Sequence, residues 1–358
     1  MNYSTQDPDN FAVRQDVYGY GERTTMRRNN YLLATGVALA AAALVVRQQT
    51  RKAERDNPPH GSFVEVDGIR LHYIERGQGQ PVVLLHGDGS MVQDFESSGM
   101  VDLAAQKYRV IAFDRPGYGY SDRPRSTIWT PKAQAALLHR ALQQLGIEQP
   151  IVVGHSFGTQ VAIALGLDYP DDVKSLVLIS GYYYPTPRMD VPLLSPPAVP
   201  IIGDLLRYTI SPLIGRMIWP AMKRRIFGPA ETPARFEENF PIWMMLRPSQ
   251  MRATAADAAL MIPAAFTMRH RYHELTMPVV IMAGDSDRHA DMHVHSERLH
   301  RELPHSTFHV THGVGHMLHH FAQHEVMDAI DYAATALGAE YRGEHMNATP
   351  GGRPELVH

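Results

Sequence analysis

The sequence predicts an α/β protein in which a mostly parallel sheet carries helices on both faces, with an inserted helical cap and an N-terminal hydrophobic helix. Continuous apolar runs recur along the chain, and such runs are typical of strands buried on both faces of a sheet. Segments with apolar residues at helical spacing separate several of these runs. Alternation of buried strands with helices favours a parallel sheet that is covered on both sides.

An apolar run at residues 31–46 follows a polar N-terminal tail, residues 1–30. No charged residue occurs between Arg28 and Arg47. As a helix, this uncharged segment is about 27 Å long, just under the roughly 30 Å of a bilayer's hydrocarbon core. The run therefore predicts a single-pass membrane anchor and a membrane location. Basic residues flank both ends, so the positive-inside rule leaves the orientation open.

Two other interpretations of this run stay open. In the first, the run is a signal peptide that is cleaved at small residues around Ala40–Ala43, after which the chain would be exported. In the second, the run is a buried or interfacial helix, because six of its 16 residues are alanine. The start of translation is also open: a start at Met26 would place a short basic segment directly before the run, as in a signal anchor.

Strand signals begin after residues 47–61, which are charged and then proline-rich and are predicted to form a linker. Within residues 62–76, Asp67-Gly68 joins two alternating segments, which predicts a β-hairpin. Later strands are predicted at 81–87, 108–114, 150–156, 173–180 and 278–285, with helices at 131–145 and 159–167.

The strand rhythm is broken once, between Ser180 and Pro278. This interval is rich in proline, methionine and aromatic residues and shows no buried-strand pattern. We interpret residues 183–275 as a helical cap inserted into a core formed by 62–182 and 276–338. The polar residues 339–358 are predicted to be a disordered tail.

Composition excludes several classes of function. The formal net charge is -3, so no overall positive field attracts nucleic acid, and no nucleic-acid partner is expected. The chain has 0 cysteines, which excludes disulfides, cysteine-ligated zinc, iron–sulfur clusters and a cysteine nucleophile.

Histidine is abundant, and ten of the 20 histidines fall between positions 289 and 320. His293 and His295, and likewise His316, His319 and His320, have spacings that would suit metal ligands. The simpler interpretation is one catalytic base among surface and loop imidazoles. We therefore expect no metal and no cofactor, and we expect activity to survive a chelator.

The motif with the clearest chemical meaning is Gly154-His155-Ser156-Phe157-Gly158. G-x-S-x-G alone is weak evidence, but here it lies between a predicted strand and a predicted helix. Glycine at 154 and 158 removes side chains where backbones crowd, which allows a tight turn that projects the Ser156 hydroxyl. The helix behind the turn offers free N–H groups to a developing negative charge.

A serine hydroxyl needs a base to remove its proton, and the base needs an orienting carboxylate. The strand at 278–285 ends in a segment that contains Asp285 and Asp287. A later short strand is followed by His312 and His316. Both segments lie just past strand ends, where ligands bind in open parallel sheets.

Five motifs in order make the sequence resemble the cap-bearing α/β hydrolases over about residues 62–337. They are Leu85–Ser90, Asp114–Ser121, Gly154–Gly158, Gly284–Asp287 and Gly313–His316. The resemblance implies Ser156 as nucleophile, Asp287 rather than Asp285 as the acid, and His316 as the base. It also implies an oxyanion hole from the backbone N–H groups of Asp88 and Phe157. The Asp114–Ser121 segment would serve shape rather than chemistry.

Serine at position 156 narrows the expected reaction. Relatives that cleave epoxides or carbon–halogen bonds use aspartate there, so the resemblance implies acyl transfer through an acyl-enzyme. The expected activity is that of a carboxylic-ester hydrolase acting on a small-molecule ester. A carbon–carbon bond hydrolase or haloperoxidase-like relative is one alternative, and a non-catalytic binding protein of the same fold is another.

The cap composition suggests the kind of acyl group. Apolar cap residues could line a pocket between cap and sheet, or they could simply pack the cap onto the sheet. A methionine-rich apolar cap favours a hydrophobic or lipid-like acyl chain, which would suit a membrane-tethered enzyme. The residues considered are Leu205, Leu213, Met217, Trp219, Phe240, Trp243, Met244 and Met245.

Overall fold

Eight strands form one sheet at the centre of the molecule. This computed structural model describes the backbone of residues 9–187 and 195–336, with side chains from Asn29 onward. The strands are β1 (Ser62–Val66), β2 (Ile69–Arg76), β3 (Pro81–Leu85), β4 (Arg109–Phe113), β5 (Ile151–His155), β6 (Ser175–Ile179), β7 (Val279–Gly284) and β8 (Ser306–Thr311).

The sheet is mixed, in the order β1-β2-β4-β3-β5-β6-β7-β8. β1 and β2 form an antiparallel hairpin whose turn residues, Asp67 and Gly68, have φ of 53° and 75°, as a tight hairpin turn requires. β2 is also antiparallel to β4, and every pair from β4 to β8 is parallel. The predicted mostly parallel sheet is confirmed.

Helices cover both faces of the sheet and form the cap. They are α1 (Asp9–Asp56), α2 (Val92–Ser98), α3 (Met100–Ala104), α4 (Pro131–Gln144), α5 (Phe157–Asp168), α6 (Ile202–Thr209), α7 (Ser211–Phe227), α8 (Ala234–Asn239), α9 (Ile242–Met245), α10 (Pro248–Met268), α11 (Arg298–Glu302) and α12 (Gln323–Thr335).

Alternate residues of each central strand enter two different cores. In β3, Val83 and Leu85 pack with α4 and α5 on one face. Val82 and Leu84 pack with α3 and α12 on the other face. All four side chains are buried, which is why the strand sequence is continuously apolar instead of alternating.

The cap helices α6 to α10 fall between β6 and β7, the interval in which the sequence shows no strand pattern. A third apolar cluster joins the cap to the core. It contains Trp219, Phe236 and Met244 of the cap, together with Met91 and Met317 from the loops after β3 and β8. The cap therefore lies against the loops that follow the carboxyl ends of the strands.

Helix α1 is longer than the sequence indicated. It runs without a break from Asp9 to Asp56, through part of the predicted polar tail and most of the predicted linker. Residues 47–56 are mostly Arg, Lys, Gln, Glu and Ala, which are good helix formers, and Pro58 follows the helix end. Within the described residues, the segment Asn29–Asp56 is the one helix long and apolar enough to cross a membrane.

The second half of α1 is docked on the cap. Residues 29–38 are exposed on every side. From Leu39 onward one face is covered: Leu39, Ala42 and Ala43 are half-buried, and Val46 and Ala53 are buried. α1 packs on α6, α7 and α9. The predicted disordered tail, 339–358, lies outside the described residues.

Candidate active site

The strand-to-helix turn holds Ser156 in an unusual backbone conformation, with φ 53° and ψ -119°. The two flanking glycines explain how the turn closes. A Cβ on Gly154 would lie 2.7 Å from the backbone of Gly158, and one on Gly158 would lie 2.1 Å from the carbonyl oxygen of Leu85. No flexible side chain could yield at these contacts, so both positions require glycine.

The imidazole of His316 lies between a hydroxyl and a carboxylate. Its Nε2 is 2.9 Å from Ser156 Oγ, and its Nδ1 is 2.7 Å from Asp287 Oδ2. Both the His316 and the Asp287 side chains are buried. The structure thus brings together three residues that are far apart in the chain, with the distances and order that proton transfer from a serine requires.

Asp287 is held in place by the loop that follows it. Its Oδ1 accepts hydrogen bonds from the backbone N–H groups of His289 at 2.7 Å and Ala290 at 3.0 Å. Its other oxygen is left for His316. The carboxylate orientation is therefore fixed by backbone donors, as a residue that orients an imidazole needs.

Asp285 has a different partner. Its side chain bonds His312 Nδ1 at 2.9 Å and accepts from the N–H of Gly313 at 2.8 Å. Burial acts to raise the pKa of Asp285, but these hydrogen bonds outweigh it and the pKa is lowered. The structure therefore places Asp285 in a separate, more exposed pair away from Ser156.

Contacts with the nucleophile turn and with the end of β7 position the His316 loop. His155 Nε2 donates to the carbonyl oxygen of His316 at 3.1 Å, which links the nucleophile turn to the histidine loop. A Cβ on Gly284 would lie 2.1 Å from the carbonyl oxygen of Val314. The loop thus packs directly on the end of β7, which explains the glycine there.

The loop after β3 passes beside the nucleophile. A Cβ on Gly87 would lie 3.1 Å from Ser156 Cβ. Arg115 fixes this loop, because its Nε donates to the carbonyl of His86 at 2.8 Å and its Nη2 to that of Gly87 at 3.0 Å. Asp88 follows directly, and Phe157 is the first residue of α5, whose opening N–H groups have no acceptor within the helix.

A buried charged network that the sequence did not predict reaches Asp88. Tyr118 donates its hydroxyl to Asp88 Oδ1 at 2.6 Å and also lies 3.0 Å from Asp257 Oδ2. Asp257 pairs with Arg115 at 2.7 Å and Arg123 at 2.8 Å. Arg115 and Tyr118 lie in the Asp114–Ser121 motif, but the only sequence sign of their partner is a single acidic residue in the alanine-rich stretch that becomes α10.

The environment of Asp88 changes its proton affinity. Burial of the carboxyl group, together with the negative charge of Asp257, raises the pKa of Asp88 to about 7. The hydrogen bond from Tyr118 and the positive charge of Arg115 oppose this rise and are the weaker effects. Asp88 is therefore a carboxyl group that changes charge near neutral pH.

The histidine-rich region divides into unrelated sites. His293 is exposed and pairs with Glu297, whereas His295 is buried and its Nδ1 lies 3.3 Å from the N–H groups of Tyr183 and Tyr184. The two residues, whose spacing was the basis of the alternative metal-ligand interpretation, thus have different surroundings.

Within the described residues, one buried group has the composition of a metal site: Asp94, His319 and His320. Asp94 Oδ1 lies 2.8 Å from His320 Nε2, and Oδ2 lies 3.3 Å from His319 Nε2. These are direct contacts between carboxylate and imidazole, and they link α2 to the loop after His316. The imidazoles hold the pKa of Asp94 well below its usual value against the opposing effect of burial.

The candidate cap residues differ in burial. Leu213 is half-buried on α7, and Trp243 and Met245 are half-buried against the apolar cluster between cap and core. Trp219, Phe240 and Met244 are buried in the cluster between cap and core. Leu205 and Met217 are 55% and 73% exposed. Such exposure does not fit the packing of these two residues between cap and sheet, because helical spacing shows periodicity but not which face a helix turns inward.

The mixed sheet, the inserted cap and the strand-to-helix turn at Ser156 together have the arrangement of the α/β-hydrolase class. Residues 80–323, more than half of the chain, match the family model described as the alpha/beta hydrolase fold. The chain belongs to the α/β-hydrolase fold family.

Similar proteins span several activities. The acetyltransferase component of the acetoin cleaving system from Cupriavidus necator is 38% identical over 128 residues, which are 36% of this chain and only 33% of that protein. A 2-hydroxy-6-oxononadienedioate/2-hydroxy-6-oxononatrienedioate hydrolase from Paraburkholderia phymatum is 29% identical over 266 residues, covering 69% of this chain and 85% of that protein. The crystal structure of a membrane phospholipase A, described as a bacterial virulence factor, superimposes with TM-score 0.58 and 21% identity, covering 88% of this chain and 100% of that one.

Proposed function

We propose that this chain is a serine hydrolase that cleaves ester-type substrates through an acyl-enzyme on Ser156. The observation that supports the proposal is the single imidazole of His316, which lies within hydrogen-bonding distance of both Ser156 Oγ and Asp287 Oδ2. In this arrangement Ser156 is the nucleophile, His316 the base and Asp287 the group that orients and stabilises the imidazolium.

In the first half of the reaction, Ser156 Oγ forms a bond to the carbonyl carbon while its proton passes to His316 Nε2. The negative charge on the carbonyl oxygen is stabilised by the backbone N–H groups of Phe157 and Asp88. When the tetrahedral intermediate collapses, His316 gives its proton to the leaving alcohol and the ester C–O bond breaks.

In the second half, His316 takes a proton from water, and the resulting hydroxide attacks the acyl carbon. The proton then returns to Ser156 Oγ as its bond to the acyl carbon breaks. The products are a carboxylic acid and an alcohol, and Ser156 is restored.

The surroundings of the site support one class of substrate. The apolar cluster that joins cap and core contains Met91, next to Ser90, and Met317, next to His316. Both methionines adjoin the loops that carry the proposed catalytic groups. We infer a hydrophobic acyl group, because methionine provides an adaptable apolar surface.

The second candidate is hydrolysis of a carbon–carbon bond in a diketone-like substrate. The relative from Paraburkholderia phymatum, whose named substrate is a 2-hydroxy-6-oxo dicarboxylate, favours it over 69% of the chain. The same three residues would serve this reaction, so the geometry of the triad does not separate the two candidates.

The test is labelling with a fluorophosphonate, which reacts with activated serines. Wild type should be labelled and Ser156→Ala should not. Ser175→Ala is the matched control, since Ser175 is a buried serine on β6, and it should be labelled like wild type. Absence of labelling in wild type would contradict the serine hydrolase and favour a binding protein.

The substrate class is tested with p-nitrophenyl esters of increasing chain length beside a 2-hydroxy-6-oxo dienoate. Turnover that rises with acyl length up to medium or long chains supports the ester proposal. Turnover of the dienoate with little ester hydrolysis would replace it with the second candidate.

We also propose that α1 anchors the chain in a membrane as a single-pass helix. The segment Asn29–Asp56 has the necessary length and hydropathy, and it continues without a break into the part that is docked on the cap. Cleavage around Ala40–Ala43 would cut the helix where its docked face begins.

Carbonate extraction and N-terminal sequencing of the mature protein test the proposed anchor. The protein should stay with the membrane and keep the apolar run. A soluble product beginning after Ala43 would instead indicate export.

A further inference from the structure

The cap carries a group of exposed apolar side chains. We call it the cap apolar face: the exposed apolar residues of α6, of the residue before it and of the first half of α7. Its most exposed members are Ile201 (82%), Ile202, Leu205, Tyr208, Ile214 and Met217. In the rest of the described chain after α1, exposed large apolar side chains are few and scattered. A concentrated apolar patch of this kind marks an interaction surface.

The position of α1 identifies the partner. α1 packs on α6 and α7, the two helices that carry the cap apolar face. Its covered positions begin at Leu39 and include Val46, both inside the apolar run of residues 31–46. At 1.5 Å per residue, the cap therefore extends along about 10 Å of this run. Interfacial helices bury their apolar side about 5–10 Å into the boundary of headgroups and acyl chains.

The charges beside the cap apolar face suit the same partner. Arg47 and Arg51 are exposed on α1 just after the apolar run, and Arg224 and Arg225 are exposed at the end of α7. Basic residues that follow an apolar surface contact anionic lipid headgroups. The cap and α1 thus share one arrangement, in which apolar residues are followed by basic ones.

We propose that the cap apolar face lies in the interface of a lipid bilayer, so that α1 and the cap contact the same membrane together. The inference rests on the proposed anchoring by α1 and extends it: the cap is a second, monotopic contact. Substrate with a long acyl chain then reaches the active site from the lipid and not only from water.

The proposal can be tested by site-specific labelling. Because the chain has no cysteine, a single introduced cysteine is the only thiol that the dye can label. Leu205→Cys and Met217→Cys, in the full chain, are labelled with an environment-sensitive nitrobenzoxadiazole dye. They are then reconstituted in vesicles of phosphatidylcholine and phosphatidylglycerol. The matched control is Glu148→Cys, an exposed position just before β5, at the amino ends of the parallel strands and thus at the edge of the sheet opposite the cap.

We expect the dyes at 205 and 217 to emit at shorter wavelength than the dye at 148 and to be quenched by spin-labelled lipid. Equal emission and equal quenching at all three positions would overturn the proposal. A shift that depends on the protein-to-lipid ratio and resists the lipid quencher would overturn it as well, because a second copy of the chain would then cover the face.

A second measurement separates this inference from the ester hydrolase proposal. The double variant Ile202→Glu/Ile214→Glu places charge at two exposed positions of the cap apolar face, neither of which belongs to the triad. It should keep fluorophosphonate labelling of Ser156 and hydrolysis of a soluble short-chain ester, while hydrolysis of a long-chain ester embedded in vesicles falls at least several-fold. Equal loss on both substrates would contradict the membrane contact. Failure of labelling in wild type would contradict the hydrolase proposal and leave the dye measurements standing.

Discussion

Two aspartates only two residues apart have different partners, and this separates their roles. Asp287 contacts His316, whereas Asp285 contacts His312. The difference is set by the backbone, since the N–H groups of His289 and Ala290 hold one carboxylate and that of Gly313 holds the other.

We predict that Asp287→Asn lowers kcat on a p-nitrophenyl ester by roughly 10⁴-fold, because the amide can no longer hold the imidazole in the productive tautomer. Asp285→Asn, the neighbouring control, should leave kcat within a few-fold of wild type. Comparable losses in the two variants would contradict the assignment of the acid.

At Asp88 we predict a pH effect. A carboxyl group with a pKa of about 7 is neutral below that pH and charged above it. Since its own N–H is proposed to stabilise a negative oxygen, the charged form should oppose the reaction. The ratio of kcat in Asp88→Asn to kcat in wild type should therefore rise as pH increases from 6 to 8 and then level off. A ratio that is constant over this range would show that the charge of Asp88 does not act on the reaction.

A site residue can be predicted from the sequence when the pattern that marks it lies in one short segment of the chain. The turn around Ser156 is local, because glycines at 154 and 158 and the flanking strand and helix lie in one short segment. Asp287 and His316 follow strand ends, so a parallel sheet brings them to the same edge. Tyr118 and Asp257 carry no such signal, because their meeting depends on where the cap helix packs.

At the scale of elements, the tightest contact is between α5 and the end of β3. A side chain at 158 would meet the carbonyl oxygen of Leu85 at 2.1 Å. We predict that Gly158→Ala destabilises the protein by roughly 3 kcal/mol, because neither backbone can move without disturbing the sheet. Thermal unfolding of the purified full chain measures this loss.

The control for this variant is Gly146→Ala. Gly146 has φ 61° and no atom within 4 Å of an added Cβ. Only the left-handed conformation is then unfavourable, at about 1–2 kcal/mol. If the two variants unfold at the same temperature, the close approach of α5 to β3 contributes nothing beyond backbone strain.

Elements were predicted well where periodicity and burial agree, as in the five continuous apolar strands. Elements were predicted poorly where a helix is rich in charged residues and lacks an apolar periodicity. Residues 47–56 look like a linker because they are charged, yet they continue α1. Their helical state depends on good helix formers and on the cap beneath Ala53, and only the first of these is visible in the sequence.

At the scale of the whole molecule, buried histidines set the response to acid. Burial lowers the pKa of His86 to about 4 with help from the charge of Arg115. Burial also lowers the pKa of His155 well below its usual value, and it lowers that of His320, in both cases aided by His319. These imidazoles stay neutral in the fold when those of the unfolded chain begin to bind protons.

We therefore predict that stability falls as pH drops below about 6.5, by about 1.4 kcal/mol per group for each pH unit until the folded pKa is reached. His72 opposes this trend, since its contact with Asp114 outweighs burial and raises its pKa. Unfolding temperatures at pH 7 and pH 5 measure the net effect. His320→Gln should reduce the pH slope, and His273→Gln, at an exposed position, should not. An unfolding temperature that does not change with pH would refute the prediction.

The ion pairs of Asp257 with Arg115 and Arg123 restrict which part of the cap can move. Asp257 belongs to α10, yet its carboxylate is shared by Arg115 and Arg123 of the core, and Gln250 of the same helix bonds Ser90 and Gly119. Lifting α10 would leave buried charges without partners, a loss of several kcal/mol. An entry route for substrate must therefore open by displacement of the cap helices that precede α10. Helix α10 itself keeps its position on the core.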